Sequence, residues 1–120
     1  MWNIWEIQDE NDRTPVSDAL TRHHQDPKFV LRKLRLLQAL GWPEAAQSLE
    51  ISNVGSDVYV LKCKPKDWRI YFSVLSDGAL LLLAVQKKKW SSDPNDQPKA
   101  KRLLEDYRAK RATRRLVQLD

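Results

Sequence analysis

WRIYFSVLSDGALLLLAVQKKK, residues 68–89, decides the fold. Two apolar runs flank Ser76–Asp77–Gly78, and Asp-Gly between such runs is a strong hairpin signal. The second run, from Ala79 to Val85, is apolar at every position. A strand with this pattern is buried on both faces and belongs at the centre of a sheet. It stops at Lys87, Lys88 and Lys89, followed by Trp90. Either the lysines merely keep a strand end in water, or the strand carries them to a polyanion.

Working backwards, Pro65–Lys66–Asp67 is a turn, and VYVLKCK before it reads as a further strand. Gly55–Ser56–Asp57 is another turn, preceded by SLEISNV with Leu49 and Ile51 on one face. Strands joined by such short turns form an antiparallel meander. Upstream, Thr14–Pro15 marks a helix start running to about Gln25, and Asp26–Pro27 opens a second helix. Val30, Leu34 and Leu37 follow helical spacing, with Gly41 as the C-cap. Residues 2–8 alternate as a short strand. After the loop SSDPNDQ, Pro98 opens a last helix with Ala100, Leu103, Leu104 and Tyr107 as its apolar stripe. The tail beyond it extends that helix or frays.

The order predicts an α+β fold: an antiparallel β-meander sheet packed by an N-terminal helix pair and a C-terminal helix. All the helices are expected on one side of the sheet. The length of 120 residues fits one domain spanning 1–120, and 42% hydrophobic content suffices for one core. No apolar run is long enough to span a bilayer, and no signal peptide is evident, so a cytoplasmic protein without membrane contact is expected. Cys63 is the lone cysteine and reads as a small core residue. With only His23 and His24 beside it in the inventory, no zinc site is expected. The adjacent histidines read as surface residues.

Charge is unevenly spread. Residues 1–60 carry 6 Lys/Arg against 9 Asp/Glu, and residues 61–120 carry 15 against 7. The net charge of +5 therefore hides a strongly basic second half. Such a half favours nucleic acid or an acidic protein partner.

The order of these pieces resembles the RelE/ParE superfamily of bacterial toxins, closest to the HigB branch and its phage relatives. The resemblance rests on the leucine-rich 26–41 helix, on DVYVLKCK and on WRIYFSV. It rests above all on LLLLAVQKKKWSSDPNDQPKAKRLLEDY, and it covers roughly residues 26–110. It implies a toxin of a type II toxin–antitoxin system that cuts mRNA at the ribosome and is neutralised by a cognate antitoxin. A gyrase-directed branch shares the fold without the nuclease activity, and a non-toxic basic nucleic-acid-binding module remains a further alternative.

RNA cleavage of this type needs no metal or other cofactor. The 2′-hydroxyl loses a proton and attacks the adjacent phosphorus, charge on the phosphate oxygens is stabilised, and the 5′-oxygen gains a proton. Arg69 faces away from the Trp68, Ile70, Phe72 and Val74 row and suits phosphate. Lys62 shares a strand face with Lys64 and would lie across from Arg69 if the turn is tight. Arg69, Lys62, Lys64 and Lys88 are the expected catalytic group. Lys66, Lys87, Lys89 and Trp90 are the expected RNA contacts, with Trp90 stacking on a base or packing on the last helix. Many members of the family carry a Tyr or His near this loop. WSSDPNDQP has neither, and Tyr107 sits on the apolar stripe. The proton shuttle is then a lysine, Asp93 or Asp96.

Overall fold

The structure, a computed structural model, describes residues 2–22, 27–64, 67–87 and 94–119. Strand β1 (Asn3–Gln8) leads into helices α1 (Pro15–Arg22), α2 (Lys28–Leu40) and α3 (Glu44–Ser48). Strands β2 (Ile51–Gly55), β3 (Val58–Cys63), β4 (Trp68–Leu75) and β5 (Gly78–Gln86) follow, then α4 (Asp96–Arg108) and β6 (Thr113–Leu116). The fold is α+β, built on a six-stranded, mostly antiparallel sheet in the order β2-β3-β4-β5-β1-β6.

The meander forms as its turns dictate, with β5 buried along most of its length at the centre. Pro15 is the first residue of α1, and Gly41 caps α2 at φ +69°, its N–H donating to the carbonyl of Leu37. A residue with a β-carbon is strained at such an angle and glycine is not, so the residue type fits the position.

Four features depart from expectation, the first being a short third helix, α3, after the predicted pair. β1 pairs with β5 in parallel, Asn3 opposite Gly78, so the sheet is not wholly antiparallel. The tail forms β6, antiparallel to β1, instead of prolonging α4. The helices also lie on both faces of the sheet. Val16, Val30, Leu34, Leu37 and Ala45 from the N-terminal helices pack on Ile4, Leu61, Ile70, Phe72 and Leu81. On the other face, Ala100 and Leu104 of α4 pack with Ile7, Val60, Tyr71, Leu80 and Leu82. The reason is visible in β4 and β5, whose two faces are both apolar, so each needs its own cover.

A bulge in the β4–β5 ladder positions the site. Tyr71 pairs with Leu83 but Phe72 pairs with Leu81, leaving Leu82 as the extra residue. Before the bulge, odd-numbered residues of β5 such as Ala79 and Leu81 face the N-terminal helices. Beyond it, Ala84 faces those helices, and Leu83 and Val85 face α4. An extra residue reverses the alternation, and so Lys87 is aimed at α4.

Candidate functional site

Lys62 and Arg69 are cross-strand partners at the end of the β3–β4 hairpin. Alternation places both on the α4 face, since Val60 and Tyr71, two residues away on their strands, pack against α4. Both are half-buried. Among the described residues neither side chain meets a carboxylate within 4.0 Å. Two directly opposed cations repel one another across a ladder, so the pair favours an anion between them.

Arg69 also pairs with Val85 on β5, and the Lys87 backbone N–H donates to the Asp67 carbonyl at 3.0 Å. Lys87 therefore belongs to the same end of the same face. Its ammonium, however, donates to the Asp96 carboxylate in the first turn of α4. The two side chains are only 9% and 11% exposed. Lys87 is thus not a free cation awaiting RNA, as the sequence suggested; it ties β5 to α4. A desolvated ammonium is stable only with such a partner. Asp96, considered above as a proton shuttle, is taken by the same bond.

Lys64 lies just past β3, its ammonium 3.6 Å from the Glu50 carboxylate, with both side chains at least half exposed. It is a solvated ion pair rather than a member of the opposed pair. Lys66, Lys88, Lys89 and Trp90 lie outside the described residues, as do His23, His24 and Asp93. Among the described residues no group of three His, Cys, Asp or Glu side chains could hold a metal ion. None of the described helices is long and apolar enough to cross a membrane.

The rest of the basic half is partly neutralised. Arg108 meets Asp57 at 2.9 Å, Arg111 meets Asp106 at 3.4 Å, and Arg114 meets Asp77 at 3.2 Å. Arg114 also lies over the Trp5 ring at 4.1 Å from its centroid. Lys62 and Arg69 differ from these arginines: they are two like charges facing each other, with no acidic partner among the described residues. Cys63 is fully buried, and burial pushes its thiol up to about 12 against a smaller opposing pull from Lys33. It is a core residue and not a nucleophile.

Sequence reasoning gave no special weight to Glu6. It is 2% exposed, and its carboxylate accepts hydrogen bonds from the Ser17 N–H at 3.2 Å and the Ser17 hydroxyl at 2.7 Å. The signal was present: Glu6 falls in phase with Ile4 on the apolar side of β1. No family model matches the chain, and a search of curated proteins returns no significant relative.

Proposed function

We propose that this protein is a RelE/ParE-like toxin that cleaves mRNA on the ribosome, with the opposed Lys62 and Arg69 forming its phosphate-binding centre. The observation that carries this reading is their register pairing, with no carboxylate within 4.0 Å of either among the described residues. The helix-flanked sheet, with the meander and last helix in the family's order, supports it further.

In this mechanism the scissile phosphate sits over the pair. The Arg69 guanidinium offers two parallel N–H donors to the non-bridging oxygens, where negative charge grows as the 2′-oxygen attacks. Lys62 adds a second positive charge at the same phosphate. A bond forms between the 2′-oxygen and phosphorus while the bond to the 5′-oxygen breaks. The products are a 2′,3′-cyclic phosphate and a 5′-hydroxyl. The 2′-proton leaves to a base, and the 5′-oxygen takes a proton. Lys62, at the same phosphate, is the side chain placed to exchange a proton with the 2′-oxygen. A cytoplasmic setting and an antitoxin with an acidic or amphipathic segment covering the basic face belong to the same reading.

The test is primer extension on mRNA in a purified translation system. Cuts that appear only on translated mRNA and disappear with Arg69→Ala support the reading. A protein that blocks growth without cutting acts on a protein target such as gyrase. One that does neither is a basic binding module. The engagement of Asp96 with Lys87 favours the protein-target reading as the alternative, because it occupies one candidate shuttle.

A further inference from the structure

We infer that the cavity between β1, α1 and α2 is a binding site for a small aliphatic α-amino acid. The cavity measures about 530 Å³ and lies on the sheet face opposite to α4. This volume is within the range of about 300–1,000 Å³ usual for small-molecule sites. Val16, Leu20, Leu31 and Leu81 supply apolar wall, and Glu6 and Arg115 supply charge.

Glu6 is the anchor. Its carboxylate is almost wholly withdrawn from solvent, yet among the described residues it forms no ion pair. The two hydrogen bonds from Ser17 leave about half of its roughly four acceptor positions unused. Holding the first turn of α1, whose N-terminal dipole offsets part of the charge, accounts for the contact with Ser17. Glu6 also lines the apolar cavity, where a full countercharge is favourable. A ligand ammonium supplies it.

Arg115 is the second anchor. It is the direct cross-strand partner of Glu6, so both side chains leave the same face of adjacent strands. Its guanidinium meets no carboxylate within 4.0 Å among the described residues. It is exposed, whereas Glu6 is buried, so the negative end of a ligand lies at the mouth and the positive end inside. Opposite charges on neighbouring positions, beside an aliphatic wall, match the ammonium, carboxylate and side chain of one α-amino acid. Nothing in this site involves Lys62 or Arg69, so it stands apart from the proposed nuclease centre.

The test is isothermal titration of the full chain with L-leucine, 4-methylpentanoate and 3-methylbutylamine. The last two lack the ammonium and the carboxylate respectively. Leucine is expected to bind at least about tenfold more tightly than either, a difference of about 1.4 kcal/mol. Glu6→Gln and Arg115→Ala should each lower leucine affinity about tenfold or more. Because Glu6→Gln disturbs the first turn of α1 and so the fold, Arg115→Ala at an exposed position carries the test on its own. No leucine binding up to about 1 mM, equal binding of the three probes, or unchanged affinity in Arg115→Ala would each overturn the assignment.

Discussion

Lys87 and Asp96 meet as a nearly solvent-free ion pair that joins the end of the central strand β5 to the first turn of α4. Removing one member strands the other's charge in a low-dielectric site. Asp96→Ala is therefore expected to destabilise the fold by about 3–5 kcal/mol in urea denaturation. Replacing both, as Lys87→Met with Asp96→Leu, should recover most of that loss. A double variant no more stable than Asp96→Ala would show that the pair does more than cancel two buried charges.

Lys62 and Arg69 behave differently, being half-exposed and meeting no carboxylate among the described residues. Lys62→Ala and Arg69→Ala should each change stability by no more than about 0.5 kcal/mol. Each should weaken binding of a short single-stranded RNA and lower the salt dependence of that binding by about 0.7 in slope. Fluorescence anisotropy across a salt series reads both quantities. Unchanged slopes in both variants would remove these residues from the nucleic-acid interface.

The Cys63 thiol is held up at about 12 by burial, against a reference value of 9.0. The folded protein therefore keeps this proton in a range where the unfolded chain releases it. Stability from this group is full below pH 9 and is lost as pH rises from 9 towards 12. Iodoacetamide at pH 8 should label the native protein far more slowly than the protein in urea. Equal labelling rates would mean that Cys63 is not enclosed as described.

Gly78 begins β5 opposite Asn3. A β-carbon built there would stand 2.0 Å from the Asn3 carbonyl oxygen, an impossible contact with backbone. Gly78→Ala should force β1 away from β5 and destabilise the fold by about 3 kcal/mol or more, measured as a lowered midpoint in urea. A variant as stable as the parent would place β1 elsewhere.

The meander was legible because its signals are local: Asp77–Gly78 for one turn, Asp67 within another, and unbroken apolar runs between them. The Lys62–Arg69 pairing was legible for the same reason, since a tight turn sets the register of a hairpin. β6 was not, because all four of its residues are exposed and show no apolar alternation. It is a strand through its backbone bonds to β1, a partner more than a hundred residues away. The placement of helices on both faces was written in β5, where Leu80 and Leu81 point to opposite cores. The direction of Lys87 was hidden, since one extra leucine in a row of four identical ones reverses it. Identical residues carry no mark of which one bulges. The bond from Lys87 to Asp96 spans a loop and depends on how α4 docks, which sequence spacing does not specify.

The parallel seat of β1 also sets a timetable for synthesis. Asn3 leaves the ribosome roughly 75 residues ahead of its partner Gly78. At about 5–20 residues per second, β1 waits roughly 4–15 s before it can dock. During that interval Ile4 and Ile7, both fully enclosed in the finished fold, have no sheet to join. The nascent chain cannot close this sheet until β5 emerges, so β1 is made well before the strand that seats it.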